Sequence, residues 1–205
     1  MRDFLVIKDP SVAKLFADPC RRSILHNLRH YEMPPCQLAK ALGKNVSSII
    51  YHLNSLEKAG LVEQSRTEVK GNLIEKYYKA TARMFVISYT LSEGLIPGSE
   101  DIAKWSKEVC NRAAGSLEAF GYKIQPERMS KLLGLIEKYS SMEQIAHEKI
   151  INQQKKAAHV SGPALKILLS LLSNIRLHKN PEYLELLNET SRELAEQREN
   201  RRENT

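Results

Sequence analysis

Cysteine is scarce in this sequence, and long apolar runs are missing. The three cysteines, at positions 20, 36 and 110, form no C-x-x-C pair. This excludes a disulfide framework and favours a reducing compartment, so we expect a cytoplasmic protein. The most apolar stretch, LKILLSLLSNI from Leu165, contains Lys166 and is far shorter than the roughly 20 apolar residues of a membrane span. We therefore expect no membrane partner.

Recognisable catalytic and cofactor motifs are also absent. HEKII from His147 lacks the second histidine of a zinc-protease helix, and LAKALGKN from Leu38 lacks the leading glycine and final Ser or Thr of a phosphate-binding loop. There is no G-x-S-x-G motif and no dinucleotide-binding fingerprint. We predict no catalytic residue and no cofactor, and we do not expect an enzyme, although a site scattered along the chain would leave no such motif.

Positive charge is concentrated in the first half of the chain. The formal net charge is +7. Residues 1–91 contain 14 Lys and Arg against 8 Asp and Glu, a net of +6, whereas residues 92–205 contain 17 against 16, a net of +1. Solvated surface charge is one explanation, but its segregation favours an electrostatic footprint for a polyanion. We expect the first half to bind nucleic acid.

Two short helices are predicted before residue 44. Asp18-Pro19 is a helix start, with the aspartate as cap and proline at the first helical position. A second start lies at Met33-Pro34-Pro35, and Gly43 supplies the left-handed residue that ends this helix. A third helix follows at once, as in a helix-turn-helix.

The third helix has two different faces. Asn45 is its predicted cap, and Gly60 ends it. One face carries Val46, Ile49, Leu53 and Leu56; the other carries Ser47, Ser48, Tyr51, Asn54 or Ser55, and Lys58. The alternating stretches LVEQSRTEV and LIEKYYKAT, joined by the turn Lys70-Gly71-Asn72, then predict a basic hairpin. This order of elements is typical of a winged helix-turn-helix domain.

A helix of this kind fits the major groove of duplex DNA, where polar side chains read base edges while a basic hairpin neutralises phosphates. Two alternatives remain open. The polar face is simply solvated, or the domain is a sequence-neutral architectural DNA-binding or RNA-binding protein. Single-strand binding requires several exposed aromatics on a sheet, and Tyr77 with Tyr78 is the only such pair. Double-stranded DNA is therefore the favoured partner.

Two sequence blocks resemble the ArsR-type winged-helix transcriptional regulators: ADPCRRSILHNL at 17–28 and YHLNSLEKAGLVE at 51–63. RTEVKGNLIEKYYKATA at 66–82 is similar to an archaeal subgroup with a helical C-terminal extension. The resemblance implies a homodimer that binds promoters. It implies DNA contacts from the recognition helix through Lys44, Asn45, Ser47, Ser48, Tyr51, His52 and Ser55, and from the wing through Arg66, Lys70, Asn72 and Lys76.

The resemblance also bears on metal binding. Metal-sensing members of this family carry E-L-C-V-C-D-L before the recognition helix, whereas residues 32–38 here read EMPPCQL. One cysteine is replaced by Pro34 and the aspartate by Gln37, so we predict no metal at this position. A different tetrahedral set remains open, formed by Cys20, His26, His30 and Cys36.

The second half is predicted to be helical. After a connector, LSEGLIPGSE, one helix follows Ser99, a long one opens at Pro126, and others begin at Pro163 and Pro181. We expect a mainly α fold with a small β-hairpin wing, divided into a winged helix-turn-helix DNA-binding domain at 1–91 and a helical domain at 92–205. The apolar stripes of the second domain either form a monomer core or a dimer seam; we favour the dimer and allow for a small-molecule effector.

Overall fold

The computed structural model describes residues 1–71, 73–158 and 160–195. The chain forms two compact units. Unit 1 consists of residues 1–87 together with residues 157–162, and unit 2 contains residues 88–156 and the chain from Pro163 onward. The boundary lies four residues before the expected one, and a short segment of the second half belongs to the first unit.

The described part of unit 1 contains four helices and four strands. In chain order they are β1 Arg2–Ile7, α1 Pro10–Lys14, α2 Pro19–Leu28, α3 Pro35–Leu42, α4 Val46–Lys58, β2 Val62–Lys70, β3 Leu73–Ala80 and β4 Ala82–Ile87, with a 3-10 turn at Leu15–Ala17.

The ends of α2 and α3 follow the predicted signals. The carboxylate of Asp18 accepts hydrogen bonds from the backbone N–H groups of Cys20 at 2.7 Å and Arg21 at 3.1 Å, so it caps α2. Gly43 ends α3 in the left-handed conformation, with φ 61° and ψ 37°. A side chain at this position would be strained, and the sharp reversal lets α4 begin three residues later.

Helices α2, α3 and α4 share one apolar core. It contains Ile24 and Leu28 from α2, Leu38 from α3, and Ile49, Leu53 and Leu56 from α4, each at most 1% exposed. Burial of these aliphatic side chains removes them from water and fixes the three helices against one another. The prediction of a mainly helical fold with a small antiparallel hairpin is confirmed.

The hairpin is formed by β2 and β3, which pair antiparallel from Val62↔Ala80 to Lys70↔Leu73 with an irregularity between Gln64 and Arg66. Its base is fixed to the helices because the backbones of Met33 and Tyr78 exchange two hydrogen bonds of 3.1 Å. The wing therefore has a defined orientation relative to α3.

A second, parallel strand pair was not predicted. Strands β1 and β4 pair in parallel, with Phe4 opposite Met84 and Ile7 opposite Ile87. Asp3, at one end of this pair, is only 4% exposed. Its carboxylate accepts a hydrogen bond of 2.6 Å from the backbone N–H of Ala158, and Arg83 lies 3.6 Å away. These contacts hold residues 157–162 in unit 1.

Unit 2 consists of helices α5 Tyr89–Ser92, α6 Glu100–Gly115, α7 Pro126–Asn152, α8 Gly162–Leu177 and α9 Pro181–Ala195, with a 3-10 turn at Leu117–Phe120. The helix starts at Pro126 and Pro181 are as predicted, and α8 begins one residue earlier than predicted. The connector begins within the short helix α5, whose Leu91 is fully buried. No described helix is long and apolar enough to cross a membrane.

Helix α9 packs on α7 within the same chain. Tyr183 of α9 is buried with Ala146 of α7 and Leu177 of α8, and its ring stacks on Tyr139 at a centroid distance of 6.0 Å. Lys131 pairs with Glu189 and Glu193 at 3.1 and 2.6 Å. The Tyr183 side of α9, one candidate for a dimer seam, is thus used inside the monomer.

Candidate nucleic-acid interface

Helix α4 presents one apolar face to the core and one polar face to solvent. Ile49, Leu53 and Leu56 are at most 1% exposed. On the opposite side, four residues at helical spacing are exposed: Ser47, Tyr51, Asn54 and Lys58. Tyr51 is 63% exposed. Because a helix rotates about 100° per residue, these four side chains form one stripe along the helix.

The first turn of α4 is set by Asn45. Its side-chain oxygen accepts a hydrogen bond of 2.7 Å from the backbone N–H of Ser48, so the predicted cap is present. Lys44, immediately before the cap, is exposed, whereas Ser48 is half-buried. Ile50 is 43% exposed and borders the polar stripe. The capping amide holds the helix start in place beside an exposed cation.

His52 does not lie on the outward face, contrary to the expectation. Its side chain is 13% exposed, and its Nδ1 lies 3.9 Å from a carboxylate oxygen of Asp18. Position 52 is rotated about 100° from Tyr51, which turns the imidazole toward the start of α2. His52 therefore contributes to the packing between α2 and α4 rather than to the exposed stripe.

Asp18 is held as an anion beside His52. Burial is the largest single effect on the Asp18 carboxyl, and it raises the pKa. Hydrogen bonds from the backbone N–H groups of Arg21 and Cys20, with the nearby imidazole and guanidinium, together outweigh burial and hold the pKa below the usual value. The same carboxylate thus caps α2 and faces α4.

Ser55 is also turned away from the outward stripe. It is half-buried, and its hydroxyl donates a hydrogen bond of 3.1 Å to the backbone oxygen of Tyr51. Asn54 is exposed instead and lies one turn beyond Tyr51. The sequence left Asn54 and Ser55 as alternatives because both lie near the polar side; the structure selects Asn54 as the outward residue.

Arg66 of the wing is tied to other groups of unit 1. Its guanidinium pairs with Glu32 at 3.2 Å and with Glu68, and it lies 3.6 Å from the ring centroid of Tyr77. The pKa of Arg66 is raised mainly by its hydrogen bond with Glu68. Desolvation is the next largest effect and acts in the opposite direction. Arg66, predicted to contact DNA from the wing, is 43% exposed and has its charge paired within unit 1.

The other face of the wing is open. Lys76 is exposed and lies opposite Thr67. Nearer the tip, the cross-strand pair Val69 and Ile74 is 73% and 67% exposed. Lys70 is the last residue of β2, and Asn72 lies outside the described residues. Of the predicted wing cations with a described side chain, Arg66 is exposed but paired with carboxylates, and Lys76 is exposed on the open face.

The candidate metal ligands are not gathered into one cluster. The Cys36 thiol donates to a carboxylate oxygen of Glu75 at 3.0 Å, and this hydrogen bond, with burial next, raises the pKa of the thiol. The rings of His26 and His30 are 5.4 Å apart. Among residues 1–71, 73–158 and 160–195, no three His, Cys, Asp or Glu side chains are placed to hold a metal ion together.

Comparison of the sequence with models of known protein families bears on the function of this surface. Residues 18–64 match the family model described as "Bacterial regulatory protein, arsR family". This segment is thus similar to the ArsR-family helix-turn-helix domain. It covers α2, α3, α4 and the first residues of β2. A search of curated proteins finds no match to the chain.

The match covers the three helices at the centre of unit 1. ArsR-family helix-turn-helix domains are DNA-binding regulatory modules, and in a helix-turn-helix the helix after the turn enters the major groove. In this chain that helix is α4, reached through the turn at Gly43. The exposed stripe of α4 and the open side of the wing are therefore the candidate DNA-facing surface.

Proposed function

We propose that the protein is a sequence-specific transcriptional regulator that binds promoter DNA as a homodimer. The observation that carries the proposal is the ArsR-family domain at residues 18–64, with a recognition helix whose polar side faces solvent. Three fully buried residues of α4 fix that helix from behind, so the outward side chains have defined positions. Such pre-organisation is what base reading requires.

Base reading is assigned to the outward stripe of α4. The hydroxyl groups of Ser47 and Tyr51 donate or accept hydrogen bonds, and the amide of Asn54 makes two hydrogen bonds to adenine when it lies in its plane. All three residues are exposed. The ring of Tyr51 also offers an apolar surface to a thymine methyl group. These groups discriminate among base pairs by hydrogen bonding and shape.

Affinity is assigned to the cations around that stripe. Lys44 precedes α4, Lys58 ends it, and Lys76 lies on the open face of the wing; all three are exposed. Each phosphate that such a cation neutralises releases counterions, and this supplies binding that depends on salt but not on sequence. Arg66 has a different task, because its pairing with Glu32 holds the wing against the segment before α3.

Dimerisation is proposed because one winged-helix module makes a small DNA interface. Two modules related by two-fold symmetry read half-sites about 34 Å apart, one turn of DNA. Regulation then follows from occupancy of the promoter. A small-molecule effector that binds one dimer geometry more tightly than the other would change the affinity for DNA. The size of this change is set by the difference between the effector's affinities for the two geometries.

The test is selection from a random duplex pool by the purified protein, followed by affinity measurements at several salt concentrations. Enrichment of a two-fold symmetric motif, bound at least about 1,000-fold more tightly than the pool, is the expected result. Salt-sensitive binding without any enriched motif would instead indicate an architectural protein. Preference for structured RNA over every duplex would refute the DNA assignment.

A further inference from the structure

Helix α8 is apolar on two opposite sides. One side is buried: Leu165, Leu169 and Leu177 are at most 7% exposed, and Leu177 lies in one cluster with Ala146 and Tyr183. The other side exposes a second apolar set, which we call the α8 stripe: Ile167 68%, Leu168 41%, Leu171 52%, Leu172 46% and Ile175 49%. A helix that is hydrophobic all round is normally buried all round. The α8 stripe is thus a surface that lacks its partner.

The spacing of the α8 stripe indicates what kind of partner fits. Leu168, Leu171 and Ile175 follow one another at intervals of three and four residues, with Ile167 and Leu172 on either side. This is the pattern of a helix seam in which the side chains of one helix fill the spaces between those of another. The partner that fits such a seam is therefore a second α-helix.

The charges on α8 are compatible with pairing between two identical helices. No charged residue occurs from 167 to 175. Lys166 and Arg176, at the two ends, point at least about 100° away from the centre of the α8 stripe, given a rotation of about 100° per residue. Two copies of α8 thus meet without placing like charges opposite each other, and Ser170 and Asn174 form polar flanks.

We propose that the α8 stripe of one protomer packs against the α8 stripe of a second copy and forms the dimer interface. This inference rests on the proposed function, which requires a dimer but does not say where it forms. A second copy is the occupant that fits the uncharged seam, and residues 196–205, EQRENRRENT, contain no aliphatic or aromatic side chain with which to cover the α8 stripe.

The area available supports the pairing. From their exposed fractions, the five side chains offer about 450 Å² of apolar surface per copy, at the upper end of the patches that monomers expose. When two copies pair, their α8 stripes together bury about 900 Å² of surface, which is less than the roughly 1,200 Å² at which stable interfaces begin. An adjoining groove of about 720 Å³ between α7 and α8, lined by Met142, Ile145 and Ile150, supplies the additional surface.

The first test compares two glutamate variants of the full chain by sedimentation velocity over a concentration series. Leu171→Glu places charge at the centre of the α8 stripe. Val109→Glu, on α6, is the matched control because Val109 is also exposed, at 41%, but lies outside the stripe. We expect wild type and Val109→Glu to be dimers, and the dissociation constant of Leu171→Glu to rise by about 30-fold or more.

The second test places a cysteine at the interface. In a Cys36→Ser background, Leu171→Cys should form a disulfide-linked dimer on mild oxidation, since the central residue of the stripe meets its own copy across the two-fold axis. Ser170→Cys is the matched control: Ser170 is also exposed but lies on the flank. Equal cross-linking at both positions would indicate random collision and would overturn the proposal.

The results separate this proposal from the proposed function. If the wild-type protein selects a DNA motif and Leu171→Glu is still a dimer, the α8 interface is refuted but the proposed function is supported. Conversely, a wild-type dimer that Leu171→Glu dissociates, with no DNA selected by either, would support the interface and refute the function. Unchanged circular dichroism of Leu171→Glu is required, and a monomeric wild type would overturn the interface outright.

Discussion

Replacement of Tyr51 by alanine tests the recognition helix most directly. The side chain is 63% exposed and lies on the side of α4 opposite Leu53, so it adds little to the core. We expect Tyr51→Ala to change the free energy of unfolding by less than about 0.5 kcal/mol. If Tyr51 contacts bases, the same change should weaken binding to the selected duplex by about 1–3 kcal/mol per half-site, a factor of about 5 to 150.

The assay is fluorescence anisotropy with the selected duplex and a scrambled duplex of equal length, each titrated at several salt concentrations. Lys76→Ala is the comparison, because without this cation binding to both duplexes should weaken, and the salt slope should fall by about 0.9 for each phosphate that is no longer neutralised. The division between base reading and phosphate binding is refuted if Tyr51→Ala lowers affinity for the two duplexes equally, or if Lys76→Ala changes their affinity ratio.

Three further predictions concern unit 1. Leu53→Ala should lower the free energy of unfolding by about 2–5 kcal/mol in urea titrations, since this fully buried side chain fixes α4 to the core. Asp18→Ala should cost about 1 kcal/mol at neutral pH, whereas Asp18→Asn keeps the cap. Because the folded-state pKa of Asp18 is lowered, its contribution is complete above the pKa of an unfolded aspartate and is lost as the pH falls through the folded value, so the difference between wild type and Asp18→Ala should shrink in acid. Asp3→Ala should speed hydrogen exchange at the Ala158 amide by about 10-fold or more, by removal of a charge-assisted hydrogen bond, and unchanged exchange there would contradict that role.

The helix-turn-helix was predictable because its signals are local. Asp18, Asn45 and Gly43 act within one helical turn of their own positions, so a cap or a stop is visible in the sequence itself. The buried face of α4 likewise follows from spacing alone. Similarity to a known family then supports the function proposed for the surface, which periodicity alone does not indicate.

The rest depends on contacts that are distant in the chain. Strand β1 pairs with β4 about 80 residues later, and its mixed burial pattern lacks the alternation that marks a half-buried strand. The pairing of Arg66 with Glu32 likewise joins residues 34 positions apart. His52 was misplaced for a smaller reason: it is adjacent to the outward Tyr51, and one residue is enough to turn a side chain toward another helix.

The second half shows a different limit. The stretch from Leu165 has apolar residues on more than one side of the helix, and their spacing does not separate the residues that pack inside from those left exposed. Only the packing of Leu165, Leu169 and Leu177 against the chain reveals that the opposite residues remain at the surface.

The membership of residues 157–162 in unit 1 has a consequence for biosynthesis. The amide of Ala158, which donates to the buried Asp3 carboxylate, is translated long after β4 has ended at Ile87. The 75 residues from Ser88 to Gly162 must first leave the ribosome, which takes about 4–15 s at 5–20 residues per second. During that interval Asp3 of β1 lacks one of its hydrogen-bond donors. The last contacts of unit 1 therefore form only when most of the following helices have been made.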